Sequence, residues 1–236
     1  QENLPFSYHN DNGDLVGFDV ELMNELAREL GVELEFVQWT YETLFKELEQ
    51  NKFDVVIGGM IANPERLTKA NFSEPYMNIT NAVVVQDYRR HEFKNWRSID
   101  EKLNIRLGVV GEKRAEVAKR ILPNTDIVLL ETYREFFTDN PKGVHALAIS
   151  AEAGSAWTII YPSYSVVVPQ PHIKAPAGLI MPLGGSDFEN FVDDWLKLKR
   201  TSGFIDKLYD KWILGKGEEQ KKPRWSIGRD VLGLWE

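Results

Sequence analysis

Apolar residues at Phe18, Leu22, Leu26 and Leu30 recur every four positions, and Met23 and Ala27 widen the stripe. With Gly31 directly behind it, this spacing predicts an amphipathic helix stopped by a glycine. Ahead of it, the polar run from Tyr8 to Asp14 contains Asn12-Gly13, the signal of a tight reversal. Behind it, Val32, Leu34 and Phe36 alternate with Glu33 and Glu35, which predicts a strand. Leu44, Phe45 and Leu48 then mark one face of a second helix, with Thr40 as its cap. The short apolar run from Phe53 to Ile57 ends in Gly58-Gly59, the pattern of a buried parallel strand.

A second unit follows Val83-Val84-Val85. Its pattern predicts strands over Ile105 to Val110, Ile127 to Leu130 and Val144 to Ile149, and helices over Ala115 to Ile121 and Tyr133 to Phe137. Ser165 to Val168 reads as an extended return, and two amphipathic helices, Asp187 to Arg200 and Phe204 to Ile213, are parted by Gly203. Ser186 is the expected cap of the first. Strand and helix alternate throughout, so the class is α/β. Because the end of the chain returns to the first unit, two lobes joined by two crossings are expected, with residues 1–85 plus 184–236 as lobe 1 and 86–183 as lobe 2. Such a lobe would open with a central strand before Pro5-Phe6, and only Gln1 to Leu4 stand there. A trimmed start or an incomplete first lobe would account for this. The tail from Lys221 to Glu236 is expected to pack as a strap or to serve as a docking element.

With 236 residues the chain is long enough for both lobes, and 43% hydrophobic with 27% charged residues is an ordinary globular balance. The net charge of -8 argues against nucleic acid or an anionic membrane surface as the main partner. The absence of cysteine removes disulfides, thiolate chemistry and Cys-ligated zinc. No stretch has the apolar length of a membrane span, and no leader segment is recognisable. No metal-ligand spacing or cofactor motif occurs, so no metal and no cofactor are expected.

Chemistry concentrates in Gly58-Gly59-Met60-Ile61-Ala62-Asn63-Pro64-Glu65-Arg66. Two glycines let a ligand approach the backbone and leave amides to donate. Asn63 is a good N-cap, Pro64 suits the first helical position, and Arg66 falls in the first turn, where the helix dipole favours an anion. A guanidinium there can grip a carboxylate through two parallel hydrogen bonds. The alternative for Arg66 is a solvated charge beside Glu65.

The blocks Pro5-Phe6-Ser7-Tyr8, Gly13 to Leu22, Phe53 to Met60, Pro64-Glu65-Arg66 and Phe72-Ser73-Glu74-Pro75-Tyr76 resemble, in order and spacing, the family 3 extracellular solute-binding proteins. Thr201 to Tyr209 resembles the C-terminal helix of that family. The resemblance implies a two-lobed periplasmic binding protein type II fold, with a ligand cleft between the lobes, a two-stranded hinge and a periplasmic or extracytoplasmic location. The segments Ala153 to Pro162, Trp212 to Gly215 and Pro223 to Ser226 look like binding domains fused to cation:dicarboxylate symporters, which would tether the chain to a membrane.

By position, Arg66 resembles the arginine that holds a ligand α-carboxylate. Gly59 and Ile61, with Met60 between them, match donor positions, although Ile61 departs from the usual Ser or Thr and keeps only its amide. Phe6, Trp39 and Tyr41 are candidates to sandwich the ligand, or are ordinary core. In lobe 2 the departures grow: Gly111-Glu112-Lys113-Arg114 replaces the hydroxyl-rich loop of amino-acid binders, so Lys113 and Arg114 either add cationic contacts or are solvated. Ser150 stands where a carboxylate would grip an α-ammonium. Glu152 either substitutes for it or, the favoured reading, is a helix-start acid. A small anionic metabolite, amino acid or dicarboxylate, is therefore the expected ligand, and an ABC permease or fused symporter the expected membrane partner. A sensor module of a receptor or kinase is the alternative. A dehydratase using Glu152 or His145 as proton donor is a weaker one, since the histidines are scattered and lack partners.

Overall fold

The structure is a computed structural model that describes residues 3–216, except 103, 139 and 141. The expected tail element at 221–236 lies outside the described residues. Strands β1 (Tyr8–His9) and β2 (Leu15–Val16) form the hairpin predicted by Asn12-Gly13. Helix α1 (Phe18–Leu30) follows and ends on Gly31 in the left-handed conformation, as the apolar spacing requires. Next come α2 (Leu44–Glu49), α3 (Pro64–Leu67), β3 (Asn71–Phe72) and the long strand β4 (Met77–Gln86). After a 3-10 segment, Asp87–Phe93, the chain alternates α4 (Trp96–Glu101), β5 (Arg106–Val110), α5 (Glu112–Ile121), β6 (Asp126–Leu130), α6 (Tyr133–Phe137), β7 (Ala146–Ser150) and α7 (Ala151–Ile160). Strands β8 (Tyr164–Val167), β9 (Lys174–Ala177) and β10 (Ile180–Met181) return the chain to α8 (Ser186–Thr201) and α9 (Phe204–Trp212).

The large sheet runs β6-β5-β7-β4-β8, with β5 parallel to both β6 and β7 and β4 antiparallel to β7 and β8. β4 has two jobs along its length. Val83 to Gln86 sits inside this sheet, whereas Met77 to Thr80 pairs with β9. On one side of this pair Phe6, Phe18, Leu22, Leu26, Trp195 and Leu208 build a core shared by α1, α8 and α9. Fully burying Phe18 and Leu22 stabilises this packing by roughly 1.5–3 kcal/mol each. Buried Lys199 ties α8 to α1 by donating to Glu25 at 2.7 Å and Glu29 at 2.6 Å. On the other side, two clusters cover the faces of the large sheet, one around Phe137 and Trp157 and one around Phe93 and Leu107.

Two predicted strands do not form among the described residues. Residues 32–38 adopt no regular secondary structure and are exposed; their alternating pattern has no ladder partner among the described residues. Phe53 to Ile57 makes only a bridge at Val56, and its neighbour Ile180 is antiparallel rather than parallel. Two caps also shift: α2 starts after Thr43 rather than Thr40, whose carbonyl accepts from Thr43 and Leu44, and α8 has Gly185, not Ser186, at its cap position.

Candidate functional site

The Gly58-Gly59 turn is built around α1. Asp19, fully buried near the start of that helix, accepts the Gly58 N–H at 2.6 Å and the Gly59 N–H at 3.1 Å on one oxygen. The Tyr76 hydroxyl also accepts from Gly59, at 3.2 Å, and Asn3 donates to the Gly58 carbonyl at 3.1 Å. Both glycines have positive φ, 120° and 63°, and a Cβ on Gly59 would lie 3.0 Å from the Phe6 ring. The chain leaves this turn into α3, whose start is capped as predicted: Asn63 accepts the Arg66 N–H at 2.9 Å, with Pro64 in the first helical position. Arg66 then folds back, and its Nη1 donates to the Ile61 carbonyl at 2.6 Å. Partial burial lowers its pKa from the ordinary arginine value, and the nearby Arg114 cation adds to that lowering.

That electrostatic contact joins the two sides of the β4–β9 pair. Arg114 lies in the first turn of α5, hydrogen-bonds the hydroxyl of Tyr133 and also reaches Tyr41. Tyr41 faces both guanidiniums, and Trp39 supports it edge to face at 5.1 Å. Beside them Lys113 approaches Glu65 at 3.6 Å, a carboxylate that Lys69 already holds at 3.0 Å. Among the described residues neither Arg66 nor Arg114 has a carboxylate within ion-pair distance of 4.0 Å. Two guanidiniums from opposite sides thus lie within electrostatic reach of each other, with the Tyr41 and Tyr133 phenols beside the gap between them, and an anion placed there would relieve their repulsion.

The family of bacterial extracellular solute-binding proteins, family 3, matches residues 1–215. The chain belongs to it. Among its relatives, cyclohexadienyl dehydratase of Pseudomonas aeruginosa is 28% identical, over 89% of this chain and 78% of that protein. The ABC transporter arginine-binding protein 1 of Escherichia coli K12 is also 28% identical, over 89% and 86%. Among solved structures, an ancestral cationic amino acid solute binding protein superposes with TM-score 0.77 at 32% identity, covering 89% of this chain and 90% of that one. These likenesses carry the two-lobed type II periplasmic binding protein fold.

Within this family 3 chain the predicted residues separate into two groups. Arg66, Tyr41, Trp39, Lys113 and Arg114 gather at the gap. Phe6 does not; at 4% exposure it belongs to the α1 core, pressed on Gly59. Met60 turns its side chain into the cluster of Leu44, Leu48 and Val56, and its carbonyl accepts from Gly178. The expectation of a free donor at Gly59 fails, because Asp19 and Tyr76 take that N–H. Ile61 contributes its carbonyl to Arg66. Ser150 caps α7 by accepting from Ala153 at 3.1 Å, and buried Glu152, in the first turn of that helix, accepts the Thr80 N–H of β4 with both oxygens, at 3.1 and 3.2 Å. His145 accepts the Arg106 N–H on Nδ1, away from the gap. The helix-dipole expectation at Arg66 weakens too, since α3 has only four residues and Asn63 takes the Arg66 amide. Sequence reasoning missed Asp19 and Tyr133. Asp19 had a readable signal, an acid on the apolar stripe three, four and seven residues before Leu22, Met23 and Leu26.

Proposed function

We propose that this solute-binding protein captures a small carboxylate-bearing metabolite between its two halves, with a dicarboxylate favoured over a simple α-amino acid. One observation carries the preference: Arg66 and Arg114 come together without a carboxylate within 4.0 Å of either among the described residues, Glu65 acting on Arg66 only at longer range, while Ser150 and Glu152 are engaged elsewhere. An α-ammonium placed among these groups would be buried without a counter-charge, which costs several kcal/mol. Two carboxylates would instead meet one guanidinium each. The expected halves, residues 1–85 with 184–236 and residues 86–183, shift at their borders among the described residues: Val83 to Val85 pack in the large-sheet cores, whereas Ala177, Leu179 and Met181 pack with Phe18, so we place the two crossings within β4 and at β9. Delivery to an ABC permease and an extracytoplasmic location are supported by the names of the family and of its ABC transporter relatives, whereas the expected symporter fusion has no support among them.

The test is a thermal-shift screen of amino acids against dicarboxylates on the wild type, Arg66→Ala and Arg114→Ala. Binding to the native state raises the melting temperature by mass action. Dicarboxylates are expected to stabilise the wild type, and Arg66→Ala is expected to fold and lose that response. An undiminished response in Arg66→Ala would remove the arginine from the site; stabilisation by neutral or cationic amino acids alone would remove the dicarboxylate preference.

The dehydratase among the relatives supports a second reading, catalysis on the same fold. Its acids would have to be Glu152 or His145. Glu152 is tied to β4 through Thr80, and burial, with Arg89 and Arg106 nearby, lowers the His145 pKa, which favours binding without turnover. Product formation from a cyclohexadienyl substrate would reverse that preference.

A further inference from the structure

We infer that Asp19 is the positioning residue of the binding site, and that its ionisation regulates affinity by setting the shape of the Gly58-Gly59 turn. The inference rests on the capture reading given above. Asp19 touches nothing in the gap. Its Oδ2 holds two consecutive amides of the turn, and Ile61 and Arg66 follow that turn directly. Asn3 holds the Gly58 carbonyl, and the residues just after the turn pair with the 176–178 segment, but the two glycine amides themselves are held only by Asp19 and the Tyr76 hydroxyl. Both glycines occupy conformations that leave them the most backbone freedom, and Gly59 is otherwise restrained by the Tyr76 hydroxyl and the Phe6 ring. The Ile61 carbonyl in turn anchors the Arg66 guanidinium, so a loosened turn displaces the cation that faces the gap.

Asp19 is also poised to change state. Its second oxygen is buried with no hydrogen-bond partner, an unusual condition for a carboxylate. Burial, opposed by hydrogen bonds from Tyr76, Gly58 and Gly59, raises its pKa from 3.8 to about 6. Tyr76 is the titratable group that acts on it; burial and the Asp19 charge keep that phenol protonated far above neutral pH. From its own helix Glu21 is engaged by Lys211, and the Pro5-Phe6 segment presents only backbone carbonyls, one of which accepts the Asp19 N–H. No charged side chain among the described residues forms an ion pair with Asp19. Above the transition the carboxylate is a strong acceptor for both amides. Below it the neutral acid accepts more weakly, and the turn loosens.

Two measurements test this on the whole chain. Amide exchange at Gly58 and Gly59, corrected for intrinsic rates, is expected to be protected at about pH 7.5 and to lose protection by about pH 5 in the wild type. Asp19→Asn is expected to be weakly protected at both. Calorimetric titration with succinate is expected to show affinity falling about tenfold across the same interval, beyond the change due to protonation of succinate itself, and a flat, weak profile in Asp19→Asn. Wild-type protection that does not change with pH overturns the inference even if the variant fails to fold. An Asp19→Asn protein that binds succinate with the wild-type pH profile also overturns it. If succinate and L-glutamate both fail to bind, the carboxylate reading falls, and the exchange data alone then support or overturn the role of Asp19. Arg66→Ala separates the two claims further, because it should abolish binding while leaving the amide protection in place.

Discussion

At the scale of single residues, the molecule holds its cationic gap in place with a buried acid that is not at ease. Raising the pKa of Asp19 from 3.8 to about 6 means that the folded state binds its proton more tightly than the unfolded chain does. Stability from this group is therefore greatest below about pH 4 and is lost as the pH rises through 6, by up to about 3 kcal/mol. Melting curves of the wild type and Asp19→Asn should accordingly diverge in the wild type's favour as the pH falls from 7 to 4.5. Parallel curves would show that Asp19 titrates normally. The sign is informative, because the form that stabilises the fold is the weaker holder of the turn; a site that sacrifices stability for geometry behaves in this way. Arg66 and its cap were legible in the sequence, since Asn63-Pro64 fixes a helix start through local hydrogen bonding. Phe6 and Met60 were not, because core and cleft aromatic or apolar residues look alike until packing assigns them.

Among the elements, α3 is a single turn and cannot stand without its cap and its neighbours. Asn63→Ala removes the acceptor of the Arg66 amide and should cost about 1 kcal/mol of stability. Because the same turn carries the guanidinium, succinate affinity should fall as well; a variant with lower melting temperature and undiminished affinity would separate cap from site. The start of α1 is more demanding. Gly17 has φ 139°, and a Cβ there would stand 2.3 Å from the Phe6 carbonyl oxygen. Gly17→Ala should therefore destabilise the protein by at least about 3 kcal/mol, read as a lost or strongly lowered unfolding midpoint in urea. The helices were predicted within a residue or two wherever an apolar stripe and a terminal glycine coincide, as in α1 and α9. The strand expected at 32–36 failed because alternation shows only that a segment suits a sheet edge. It does not supply the neighbour. Val56 likewise found Ile180, more than a hundred residues away and antiparallel, a pairing that no local pattern encodes.

For the whole molecule, the question is what holds the two halves together. The Glu65–Lys113 contact spans them, yet both side chains are largely exposed, at 61% and 86%, and such pairs contribute little in salt. The Arg114 cation lowers the Arg66 pKa, a repulsion that works against bringing the two together, while the Tyr133 and Tyr41 phenols favour the Arg114 charge. An anion bridging both guanidiniums removes that repulsion in the closed arrangement only, and a ligand shifts an equilibrium by just such a difference in affinity between states. The radius of gyration from solution X-ray scattering should therefore shrink when succinate is added to the wild type and to Lys113→Ala alike, and remain unchanged in Arg66→Ala and Arg114→Ala. The titration should also weaken with added salt, since the attraction is between partly exposed charges. Compaction lost in Lys113→Ala but kept in Arg114→Ala would shift closure from the ligand to the rim ion pair. The gap between the halves would then be held from its edge and not from its centre.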